Sequence, residues 1–206
     1  MEPFTTLSGI AVPLDEANLD TNQICPTRFN KVPKGPRFAQ ILLHDRRFGA
    51  DGSEKPDYIL NQEPYRNAVI AVGGRNFGVG SSRETAVFGF VAFGIRSVIA
   101  PNFGDIFFNN ALKNGVLPVR LPAGTVDVLM RQLLANRGAH LTVDLPQQTV
   151  TGPDATTYRF DIEPLSKHRL LRGLDEIAHT QEYRPAIERF EQNQAKAFSW
   201  LNLPAG

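Results

Sequence analysis

The sequence predicts an α/β fold built on a parallel βαβ core, and three observations carry that expectation. From Asn67 onward, β-branched apolar runs of buried-strand length, AVIAV, RSVIA and VLPV, recur at short intervals. Between successive runs lies a segment of helical pattern, and strands separated by helices pair in parallel. With 206 residues, 42% of them apolar, the chain is long enough for one domain with a real core.

The elements follow in order. Ser8 to Val12 reads as a short opening strand. The stretch CPTRFNKVPKGPRF, broken by Pro, Gly and Lys, sustains neither helix nor central strand and is expected to be a long loop, a kind usually functional or disordered. AVIAV is the first core strand, and after a glycine-rich turn a helix is expected from about Arg83 to Gly94. RSVIA is the second strand. The turn APNFGD leads to a helix over Ile106 to Lys113, closed by Asn114-Gly115, and then to the third strand, VLPV. Gly124 to Asn136 reads as a further helix, LTVDL, QTVTG and TTYRFDI as short antiparallel strands, and Gln181 to Ser199 as an amphipathic tail helix. No repeat or interdomain linker is visible, so residues 1–206 are expected to form a single domain with a helical tail.

Composition excludes several function classes. A formal net charge of +1 gives no basic field to recruit nucleic acid or an anionic membrane. No apolar run approaches the roughly 20 residues that span a bilayer, and the opening MEPFTTLSGIAVP lacks the pattern of a secretory signal, so a cytoplasmic protein is expected. Cys25 is the one cysteine, which rules out an intrachain disulfide and any all-cysteine metal or iron–sulfur site supplied by this chain. His44, His140, His168 and His179 form no pair at metal-ligand spacing on an expected helix, so no metal ligand is assigned among them.

The stretch NFGVGSSRETAVFGF, Asn76 to Phe90, carries the chemistry. Ser81 to Glu84 fits S-x-x-E, a reciprocal helix-capping box. Capping does not explain why Arg83 stands in the first turn of a helix that is apolar nearly all round. A guanidinium there, with the free amides and partial positive charge of a helix N-terminus, suits a carboxylate or phosphate. The turn lacks the Gly-Lys-Ser/Thr of a phosphate loop, departs from G-x-G-x-x-G, and is not the G-x-S-x-G of a serine nucleophile.

These residues resemble the swivelling domain of the aconitase superfamily, in particular the family of 3-isopropylmalate dehydratase small subunits. GVGSSRETA and GIRSVIAPNFGDIFFNNALKNGVLPV are similar to that family's G-x-G-S-S-R-E-H-A and G-[FI]-R-[AS]-V-I-A-P-S-F-A-D-I-F-x-N-N followed by K-N-G-x-L-P-V. PLDEANLDTNQICP resembles its opening, and LTVDLPQQTVT with KHRLLRGLDEIAHT its closing segment, so the resemblance spans about Leu7 to Glu191. It implies a three-layer β/β/α swivelling domain and a hydro-lyase that interconverts 2- and 3-isopropylmalate in leucine biosynthesis. It implies Ser81 as the base that removes the proton beside a substrate carboxylate, and Ser82 and Arg83 as binders of substrate carboxylate. The loop from Phe29 to Phe38, with Asn30, Lys31, Lys34 and Arg37, would cover the site and help choose the small dicarboxylate substrate. The Lewis acid for the departing hydroxyl would be a 4Fe-4S cluster on a large partner subunit, with none bound by this chain.

Three departures bear on substrate. Thr85 replaces the histidine of R-E-H-A, Val79 replaces the common cysteine of G-C-G, and Asn22 replaces the second aspartate of D-T-D. With the atypical loop, Thr85 keeps open a paralogue acting on another dicarboxylate, of the citraconate or dimethylmalate type. A non-catalytic assembly module is the alternative of another class, and the retained Ser81, Ser82 and Arg83 argue against it.

Overall fold

The computed structural model describes residues 1–80 and 83–198. Among the described residues, seven strands form one mixed sheet: β1 (Thr6–Leu14), β2 (Ile70–Gly73), β3 (Ser97–Ala100), β4 (Leu117–Arg120), β5 (His140–Asp144), β6 (Thr149–Thr151) and β7 (Thr157–Arg159). Their order across the sheet is β4-β3-β2-β1-β5-β6-β7. The helices are α1 (Thr21–Ile24), α2 (Phe38–Ile41), α3 (His44–Arg47), α4 (Glu84–Phe93), α5 (Asp105–Lys113), α6 (Ala123–Ala135), α7 (Pro164–Arg172), α8 (Glu176–Gln181) and α9 (Arg184–Ala197).

β1 joins the two halves of the sheet. Thr6 to Ile10 pair antiparallel with β5, whereas Ala11 to Leu14 pair in parallel with β2. From there β2, β3 and β4 run parallel, as the strand–helix alternation predicts, and β5, β6 and β7 run antiparallel.

Side-chain alternation separates two cores. Ala71, Val98 and Ala100 face the core shared with Ala86, Val87 and Phe90 of α4 and Phe107 of α5. Their neighbours Ile70, Val72 and Ile99 face the opposite core, with Leu129 and Leu133 of α6, Leu141 and Val143 of β5 and Val150 of β6. The period of two along a strand makes this division unavoidable once both faces are covered. Because the antiparallel strands share a core with the parallel ones, the sheet curls, and the layers are β, β and α. On α6, Val126, Leu129, Met130 and Leu133 recur at helical spacing and are its buried stripe.

Differences from expectation are local. β1 extends to Thr6 and Leu14. The Cys25–Phe38 stretch is irregular apart from a 3-10 turn at Thr27–Phe29, but α1 and α2 bracket it. The tail is divided: α8 ends at Gln181 and α9 starts at Arg184, with Pro185 in the first turn where a missing N–H is tolerated. Its expected end, Ser199, lies outside the described residues. Among the described residues, no helix is long and apolar enough to cross a membrane.

Candidate active site

Three segments leaving the carboxyl ends of β1, β2 and β3 converge before α4. Pairing continues past the strands through isolated parallel bridges, Asp20 with Val79 and Phe77 with Phe103. Three asparagines lock the segments together. Asn76 donates through Nδ2 to Asn18 Oδ1 at 2.7 Å, its backbone N–H donates to Asn102 Oδ1 at 2.8 Å, and Asn102 Nδ2 returns a bond to Asn76 Oδ1 at 2.6 Å. Asn18 and Asn76 both adopt left-handed backbone, at φ 57 and 56, which asparagine tolerates better than most residues. Beneath them Phe77, Phe90, Phe103 and Phe107 pack as a ring cluster with centroids 5.5–6.3 Å apart. Gly78 fits against it because, at φ +69, an added Cβ would lie 2.4 Å from the Phe107 ring. The close approach at Gly78 is therefore to a phenylalanine.

The mouth of α4 opens on a hollow of about 120 Å³ lined by Thr21, Asn22, Cys25, Thr27, Asn30, Arg83, Thr85 and Ala86. Asp20 builds one wall: its carboxylate accepts the amides of Asn22 and Gln23, and Gln23 Oε1 accepts the Asp20 amide at 3.0 Å. This reciprocal cap turns Thr21 and Asn22 towards the helix mouth, and the Thr21 amide is tied to the Val79 carbonyl at 3.0 Å. Thr85 donates through Oγ1 to Asn30 Oδ1 at 3.0 Å, which joins the helix to the loop. Burial pushes the Cys25 thiol up from its ordinary value, opposed by the Thr85 hydroxyl beside it.

The capping box expected of Ser81 and Glu84 rests on Ser81, which lies outside the described residues. α4 begins at Glu84 with Arg83 at its N-cap position, in extended backbone, and among the described residues no side chain caps the first-turn amides. Glu84 therefore stands one residue into the helix, too early to reach back as a capping box requires. Arg83 is exposed, where the apolar helix behind it predicts burial, and its side chain makes no hydrogen bond or ion pair with other described residues. A guanidinium with no partner among the described residues, beside the amides of a helix N-terminus, is an arrangement suited to an anion.

Ser81 and Ser82 lie outside the described residues, immediately before Arg83. Asn30 lines the hollow. Lys31, Lys34 and Arg37 are exposed and do not. Lys34 instead sits 4.4 Å over the Phe88 ring and donates to Asn114 Oδ1 at 3.1 Å. Phe29 and Val32 pack against the core, so the loop has more apolar anchorage than its composition predicts. Buried Arg47 secures the far side. It donates to Asn61 Oδ1 at 3.0 Å, to the Leu42 carbonyl at 3.2 Å and to the Ala39 carbonyl, with Phe93 of α4 5.1 Å away. Sequence reading missed Thr21, Thr27 and Arg47. The D-x-x-Q pattern at Asp20 to Gln23 was the available signal for Thr21.

The residues present do not fit an iron–sulfur cluster, since one buried thiol cannot replace a set of cysteine ligands. No step is assigned to such a cluster on this chain.

Comparison with known proteins agrees with this geometry. The Aconitase C-terminal domain model matches residues 1–124, and the model described as LeuD_N matches residues 127–164. The 3-isopropylmalate dehydratase small subunit of Roseobacter denitrificans is 49% identical over 201 residues, covering 98% of this chain and 100% of that protein. That of Gluconacetobacter diazotrophicus is 48% identical over 200 residues, covering 97% of each. A crystal structure of 3-isopropylmalate dehydratase from Methanocaldococcus jannaschii matches with a TM-score of 0.65 over 90% of this chain and 99% of that one. At 21% identity, that likeness is one of fold.

Proposed function

The chain belongs to the family of 3-isopropylmalate dehydratase small subunits, and from that premise we propose that it is the small subunit of a hydro-lyase interconverting 2- and 3-isopropylmalate in leucine biosynthesis. The observation that carries the site assignment is the Arg83 guanidinium, without a partner among the described residues, at the mouth of α4, opening on the hollow. Its paired donors and the first-turn amides hold one substrate carboxylate. Ser82 shares in that binding. Ser81 removes the proton from the carbon beside the carboxylate. An aliphatic hydroxyl is a poor base in water, but the positive helix end and the guanidinium both favour its alkoxide, and the same groups stabilise the charge that develops on the carboxylate.

The hollow, at about 120 Å³, is smaller than the roughly 300 Å³ at which enclosed ligand sites begin. A second body must supply the remaining walls, and we assign that part to a large subunit carrying a 4Fe-4S cluster, the Lewis acid for the departing hydroxyl.

Thr85 favours keeping a second substrate in view, because it offers the hollow a hydroxyl already committed to Asn30 where the family pattern has an imidazole. Initial rates of the reconstituted two-subunit complex on 2-isopropylmalate, citraconate and 2,3-dimethylmalate separate the readings. Preference for isopropylmalate is expected; turnover confined to either of the others would replace it.

A further inference from the structure

Away from the hollow, α7 and α8 bring together three side chains that the proposed reaction does not use. His168 Nε2 on α7, His179 Nδ1 on α8 and a Glu182 oxygen just beyond α8 lie within 4.8 Å of one another. Both imidazoles meet the same carboxylate oxygen, Oε2, at 3.0 Å each. The other oxygen, Oε1, is held by Arg172 Nη1 at 2.7 Å.

We propose that His168, His179 and Glu182 bind one divalent transition-metal ion of the zinc, cobalt or nickel class, which fastens α8 to α7 at the root of the tail. Two imidazole nitrogens and one carboxylate oxygen are donors these ions favour, whereas calcium and magnesium seek shells made of oxygen. Zinc bond lengths near 2.1 Å place tetrahedral ligand atoms roughly 3.4 Å apart, so the two 3.0 Å contacts open by a few tenths of an ångström while the two ring nitrogens, within 4.8 Å of each other, close towards the ion. The two rings meet edge to face, at 67° and 6.0 Å, so their nitrogens turn to a common point without stacking. The side chains of His168 and His179 remain 43% and 18% exposed, which leaves them room to shift and admits water as a fourth ligand. Arg172 has two effects: it fixes the carboxylate with Oε2 towards the rings, as outer partners of metal ligands do, and its charge opposes the dication. The site is accordingly expected to bind in the micromolar range. Lys113 with Glu176, at 3.0 Å, is a further tether of α8 to the body, so an ion here would reinforce an existing attachment.

The test uses the full-length chain, free of any histidine tag and stripped of metal. ZnCl2 is titrated by calorimetry and CoCl2 by visible absorption. One ion per chain is expected, with the d–d bands of imidazole-bound cobalt. His168→Gln, His179→Gln and Glu182→Gln should each weaken binding by about tenfold or more, while His140→Gln leaves it unchanged. Metal-free melting of each variant verifies that it is folded, and if one of the three fails to fold the other two decide. Absence of saturable binding with zinc in excess, or equal binding by folded variants lacking a ligand, would overturn the site.

Discussion

The roles proposed for Arg83 and Ser81 are separable. Lysine at position 83 keeps the charge but loses the paired donors, so substrate affinity of the reconstituted complex should fall by about 1.5–3 kcal/mol. Folding stability should move by no more than a few tenths of a kcal/mol, because the Arg83 side chain has no bond to the described fold. Ser81→Ala should reduce turnover by orders of magnitude with the Michaelis constant largely kept. Steady-state kinetics and melting of both variants check these outcomes; near-normal turnover in Ser81→Ala removes the base assignment. Thr85→Val tests the link to the loop. Losing the donor to Asn30 should cost about 1 kcal/mol and speed amide exchange around Asn30, with a raised Michaelis constant. The exposure of Arg83 was not legible in the residues of the turn. An apolar helix predicts a buried mouth, whereas the segments carrying Asn18, Asn76 and Asn102 end there and leave Arg83 in the open. Thr21 and Asn22 reach the hollow from about sixty positions earlier, through a pairing of Asp20 with Val79 that no local pattern reveals.

The α2–α3 segment depends on Arg47. Replacing it by Met removes the donor to Asn61 and to two backbone carbonyls in a buried place, and a loss of about 3 kcal/mol in chemical denaturation is expected. A change below about 0.5 kcal/mol, the range of ordinary surface substitutions, would show that the anchor is idle. Arg28 and Asp45 link the 3-10 turn to α3, and the guanidinium holds the Asp45 carboxyl down from 3.8 to about 2. The stabilisation is complete above 3.8 and disappears as pH falls to about 2. Both side chains are more than half exposed, so solvent screening limits the pair to ~1 kcal/mol or less. Asp45→Asn should therefore melt slightly earlier than the parent at pH 7 and together with it near pH 2, as followed by circular dichroism; a gap that widens on acidification contradicts the assignment. Strands such as Ile70–Gly73 and helices such as α6 were legible because their apolar periods run long enough to read. The four-residue helices α1, α2 and α3 span barely one turn and carry no period. Asp20 to Gln23 forms a capping box, whereas the one expected of Ser81 to Glu84 falls on a residue outside the described ones.

At the scale of the molecule, β1 explains the architecture. Its two halves pair in opposite senses with β5 and β2, so a single strand carries the parallel core into the antiparallel curl. The parallel core was legible from the strand–helix alternation. The joint was not, since Ser8 to Val12 shows neither partner. The same fold sets the hollow at the carboxyl ends of β1, β2 and β3, where the ends of parallel strands expose backbone and helix mouths to a ligand. On the function proposed above, that hollow completes a catalytic centre shared with a large subunit. The direct measurement is the rate of 2-isopropylmalate conversion by this chain alone, by the cluster-loaded large subunit alone, and by the two combined. Turnover is expected for the combination and none above background for either part. Full turnover by the large subunit alone, or by this chain alone and free of iron, would contradict the shared centre.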